Sequence, residues 1–118
     1  MNRLASLPAA TTLLGLAVLA CTAPGPVPIV LGERDCDHCH MTIADARFAA
    51  ELVTRTGKLY FFDDAGCLAT FAVSGPVQPE QVHSAWVSDF RHPGTLIPAQ
   101  DAIFLRTQAV QSPMASNL

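Results

Sequence analysis

The sequence predicts a small α+β domain, built as a ββαβ-type unit followed by a partial second β unit. Three observations predict it. Residues 48–54 alternate Phe48, Ala50, Leu52 and Thr54 with Ala49, Glu51 and Val53, and Leu59-Tyr60-Phe61-Phe62 returns after the turn Arg55-Thr56-Gly57-Lys58. Behind Asp63-Asp64, a helix from about Ala65 to Val73 runs into Ser74-Gly75-Pro76, a stop signal. Further apolar runs follow at Ala85–Phe90 and Ala102–Arg106, with a short extended piece, Leu96-Ile97-Pro98-Ala99, between them.

The N-terminus reads as an export signal. Arg3 is the only charge in residues 1–20, and an apolar stretch from Leu13 to Ala20 follows it, too short for a transmembrane helix. It closes on Val18-Leu19-Ala20-Cys21, which resembles a bacterial lipobox, with cleavage before Cys21 and a diacylglycerol on its thiol. Thr22–Pro28 carries three prolines and a glycine, an extended tether that would hold the domain off the membrane. The formal charge of −3, without a basic run or an aromatic-interleaved Lys/Arg patch, excludes nucleic acid as a partner.

With Cys21 lipidated, Cys36, Cys39 and Cys67 remain, an odd number for a disulfide scaffold in an oxidising compartment. Cys36-Asp37-His38-Cys39-His40-Met41 places two thiols, two imidazoles and a thioether in six consecutive positions, on a loop. Four chemistries compete for it. C-x-x-C-H is the covalent haem pattern, with His40 as proximal ligand and Met114 able to supply the distal one. Structural zinc would use Cys36 and Cys39 with Cys67 and a histidine. Thiol–disulfide exchange by Cys36 and Cys39 lacks the βαβ frame it normally occupies. A Cu(I) site would use Cys39 and Met41 on one side of an extended segment, and it gives Met114 in a polar tail a purpose.

The run Cys36–Ala50, then Gly57 and Phe62-Asp63-Asp64-Ala65-Gly66-Cys67-Leu68, resembles the NosL family of lipoprotein copper chaperones and accessory proteins for nitrous oxide reductase. Trp86–Phe90, Ile97-Pro98-Ala99 and Ser112-Pro113-Met114 are similar to that family's later landmarks. The resemblance implies three regions: a lipoprotein signal peptide (1–20), a Pro-rich tether (21–32) and a metal-binding domain (33–118). It implies a non-enzymatic Cu(I) carrier on the periplasmic face of a membrane, held by its lipid anchor. Such a carrier would serve nitrous oxide reductase or its maturation machinery. Carried over by motif, Cys39 and Met41 are the ligands, with Met114 as a third candidate and Cys36 matching a frequent cysteine. His40 stands where the family usually has glycine and is an additional candidate ligand.

Other residues have plainer expected roles. One of Asp63 and Asp64 caps the helix, and the pair is read as a cap rather than an acidic metal pair. Cys67 falls in the helix's first turn, where the dipole would favour a thiolate. His83 and His92 are expected in solvent, Trp86 in the core, and Gln111–Leu118 as a mobile tail.

Overall fold

The computed structural model describes residues 22–118, so the export signal and Cys21 lie outside the described residues. Strands β1 (Ala50–Thr54) and β2 (Leu59–Phe62) form the expected hairpin. Gly57, at φ +84° in the turn, takes the left-handed conformation that a side chain would strain. Helix α1 (Ala65–Ser74) follows, then β3 (Val82–Ser88) and β4 (Leu96–Pro98). All pairings are antiparallel, in the order β2-β1-β3-β4. The protein is thus a mixed α+β fold, and its later strands extend the hairpin's own sheet along the free edge of β1.

The register explains the core. Ala50 lies opposite Phe62 and Leu52 opposite Tyr60, so these four share one face of the sheet. Helix α1 covers that face, with the Phe71 ring 5.1 Å from Phe62 and 4.9 Å from Tyr60. Every residue of β1 is buried, where sequence alternation predicted a half-buried strand. The cover on its second face comes from the proline-rich segment. Val27 and Ile29 pack against the core, and the Val27 N–H donates to the Glu51 carboxylate at 3.0 Å. Burial pushes that carboxyl above the usual carboxylate range, with the Val27 N–H partly offsetting it. The expected tether is therefore free chain only ahead of Val27.

Two expectations about the second half need correction. Ala102–Arg106 is not a strand. The chain leaves the sheet at Pro98, which has no N–H to donate, and a 3₁₀ turn at Ala99–Asp101 carries it away from the edge. Beyond it Ile103 is 89% and Leu105 74% exposed, because strand propensity without an edge to pair with forms no strand. Trp86, expected in the core, is half-buried on β3 and donates its indole N–H to Ser84.

The tail is not loose either. Asp64 is the N-cap of α1, its Oδ1 accepting the Cys67 N–H at 2.8 Å. Its Oδ2 accepts the Ser112 hydroxyl at 3.0 Å, the Met114 N–H at 3.0 Å and the Ser116 hydroxyl at 3.1 Å. Gly66 makes room for this: a Cβ there would lie 2.5 Å from Ser116 Cβ. One carboxylate thus starts the helix and seats the C-terminal segment upon it.

Asp64→Ala is expected to cost about 2 kcal/mol or more in urea unfolding, since it removes the cap and strands the tail's donors. Limited proteolysis should then cut between residues 107 and 118 while the sheet stays intact.

Candidate metal centre

The sulfur-rich loop is held in place by backbone pairing at its base. Asp35 and Thr42 form an antiparallel bridge, reinforced by the Thr42 hydroxyl donating to Asp35 Oδ1 at 2.8 Å. Inside it the Cys36 N–H donates to Met41 O at 2.8 Å and the His40 N–H to Cys36 O at 2.9 Å. Both backbone groups of Cys36 are satisfied, which lets the residue be completely buried. The loop also docks on β2, an edge strand. The Asp37 N–H donates to Phe61 O at 2.8 Å, and the Phe61 N–H donates to Asp37 Oδ2 at 2.7 Å. Asp37 so completes an edge that would otherwise be open to pairing. The Arg34 guanidinium lies 4.1 Å over the Phe61 ring beside it.

This fixes where the candidate ligands go. Cys36 and Cys39 come together with Cys67 from α1 and Asp63 from the β2–α1 joint, their ligand atoms within 4.8 Å of one another. Among the described cysteines, Cys36 and Cys67 are buried and Cys39 is partly exposed; none is in a disulfide. Met41 is 50% and Met114 43% exposed. His38 and His40 are exposed and lie outside the four-residue cluster, as do the exposed His83 and His92. Cys39–Met41 is not the extended segment expected, because His40 turns the chain at φ +64°. That conformation is easy only for glycine.

Asp63 and Asp64 divide the two roles between which the sequence could not choose. Neighbours in extended chain point to opposite sides. Asp64 faces the helix N-terminus and caps it, which leaves Asp63 facing the thiols. The Cys39 thiol donates to Asp63 Oδ2 at 3.3 Å. Asp63 Oδ1 is buried and has no hydrogen-bond partner, an arrangement that calls for a positive charge beside it. Membership of Asp63 and Cys67 could have been read from Asp-Asp-x-x-Cys, since a single cap leaves one aspartate to spare.

The thiol chemistry runs against the dipole expectation for Cys67. Burial, then its hydrogen bond to Asp63, pushes the Cys67 thiol strongly up. Cys39 is pushed up to about 11, chiefly by burial, with the Met41 backbone N–H partly opposing and Asp63 and Cys36 adding to the rise. With no cation bound, the cluster keeps its protons. A metal ion would displace them and leave thiolates as ligands. The geometry disfavours covalent haem, because the fully buried Cys36 has no surface from which to bond a vinyl group.

Cys39 should therefore alkylate about 100-fold more slowly at pH 8 than an ordinary exposed thiol, the rate still climbing past pH 10. Asp63→Asn should move that profile to lower pH. Because the folded thiol titrates above the unfolded one, its contribution to stability is complete below pH 9 and lost as pH rises to about 11. Iodoacetamide labelling read by mass spectrometry, with alkaline melts beside it, checks both.

The family model for NosL matches residues 26–118. Among curated proteins and solved structures, nothing matches the chain. The match spans the sheet, the helix, the sulfur loop and the seated tail, and the chain belongs to the NosL family.

Proposed function

We propose that this protein is a metallochaperone that carries one Cu(I) and passes it on by ligand exchange. The observation that carries this reading is Cys39, a partly exposed thiol between buried thiols and two half-exposed methionines. Soft, polarizable sulfur in low coordination suits Cu(I). Cys39, Met41 and Met114 form the transfer set, with Cys36 behind Cys39 and His40 at the loop's exposed turn. Exposure suits handover, because an acceptor's sulfur or imidazole can enter before the donor ligands leave.

Family membership supports the cargo and the setting. In this reading Cys21 carries a diacylglycerol that holds the domain at the periplasmic face of a membrane. No helix among the described residues is long and apolar enough to cross one. The acceptor is nitrous oxide reductase or the machinery that matures it, and no reaction on an organic substrate takes part.

The test is an anaerobic Cu(I) titration of the full chain in detergent against a competing chromophoric chelator. One equivalent should bind, with affinity falling at least about tenfold in Cys39→Ser and less in Met41→Leu, while His83→Ala matches wild type. Absence of Cu(I) uptake, or equal affinity in all three variants, would sink the reading.

A further inference from the structure

We infer that Cys36, Cys39, Cys67 and Asp63 form a second, closed site for a borderline divalent cation of the zinc class, sharing Cys39 with the exposed methionine set. Three features of the cluster carry this. The first is its donor number. Four side chains converge within 4.8 Å from three separate parts of the fold: the sulfur loop, the end of β2 and the first turn of α1. A tetrahedron with metal–sulfur bonds of about 2.3 Å and a metal–oxygen bond of about 2.0–2.2 Å is only slightly tighter than that.

The second feature is the orphaned oxygen. Asp63 is buried, one oxygen holding the Cys39 thiol at 3.3 Å while the other has no partner. Polar atoms in a core are seldom left so, and a cation among the four donors would satisfy both oxygens' surroundings at once. The third is the mixture of donors. A carboxylate is a hard ligand that low-coordinate Cu(I) does not need, whereas tetrahedral zinc accepts thiolate and carboxylate together. Calcium and magnesium would want oxygen throughout, and four-thiolate clusters would want a fourth cysteine.

The site differs in kind from the transfer set. Three of its four residues are buried, so no coordination position faces solvent, the pattern of structural rather than exchanging zinc. An ion there would tie the sulfur loop to the sheet and to the start of α1. It would also hold Cys39 away from Met41 and Met114, so occupancy by the divalent ion and by Cu(I) exclude each other. That exclusion rests on the Cu(I) reading; the site itself does not.

Co(II) is the probe, because tetrahedral thiolate coordination gives it intense visible bands and a near-ultraviolet sulfur-to-cobalt charge transfer. The full chain, reduced and anaerobic in detergent, should bind one equivalent with a charge-transfer intensity of three thiolates, and Zn(II) should bleach the spectrum. Cys67→Ser and the isosteric Asp63→Asn should each weaken Co(II) binding by roughly 100-fold or more, and Met41→Leu and Met114→Leu should leave it unchanged. Weak octahedral bands alone would overturn the inference. So would a charge transfer of one thiolate, unaltered affinity in Asp63→Asn, or loss in the methionine variants. The thiolate count is read on wild type, so it stands even where a variant fails to fold. A failed Cu(I) titration with intact Co(II) binding would remove the transfer reading and leave this site.

Discussion

Two adjacent buried carboxylates at the joint between β2 and α1 set the terms for the rest of the molecule. Asp63 and Asp64 cannot be placed there at low energy unless donors or cations surround them. Asp64 has four donors: a helix-start amide, two hydroxyls and a second amide from the tail. It is satisfied by protein alone. Asp63 has one thiol and an empty oxygen. The asymmetry separates architecture from chemistry: one carboxylate completes the fold, and its neighbour is left wanting a positive charge.

The satisfied carboxylate positions part of the proposed site. Met114 lies far along the chain from the sulfur loop, in a segment whose composition offers no core to fill. Its backbone amide nevertheless bonds the same carboxylate that caps the helix carrying Cys67. Ser112, completely enclosed, and the glycine at 66 make that seat possible. A thioether is thereby presented at the helix N-terminus without itself being buried, so its exposure and its fixed position have different causes.

The hairpin and the helix were legible because each rests on short-range rules: alternation, a turn glycine, a capping aspartate and a stop at Ser74-Gly75. What failed were inferences that needed partners from elsewhere in the chain. Val27 and Ile29 read as linker, because nothing local shows that Glu51 would reach out for an amide. Ala102–Arg106 read as strand, because propensity says nothing about whether an edge is free. In the site, Cys36 and Cys39 were visible as a pair. Asp63 was discounted because one sequence signal, the cap, sufficed for two aspartates, and only the extended backbone between them shows that they face apart. Cys67 misled through the opposite error, a general dipole argument applied where burial and a carboxylate dominate.

His40 shows how the loop reconciles a buried anchor with an exposed ligand. Cys36 must satisfy its own amide and carbonyl to go fully inside, and it does so against Met41 and His40 within the same short loop. Closing so tight a turn forces residue 40 to φ +64°, where a side chain costs about 1–2 kcal/mol relative to glycine. The strain falls on the residue between Cys39 and Met41, and it turns the chain there out of an extended path. Cys39 then donates inward to Asp63 while Met41 stands half in solvent. In the proposed reading this division is what transfer requires. The same thiol can be held by the buried set or offered beside the thioethers, and the loop need only reorient one side chain to pass from one arrangement to the other.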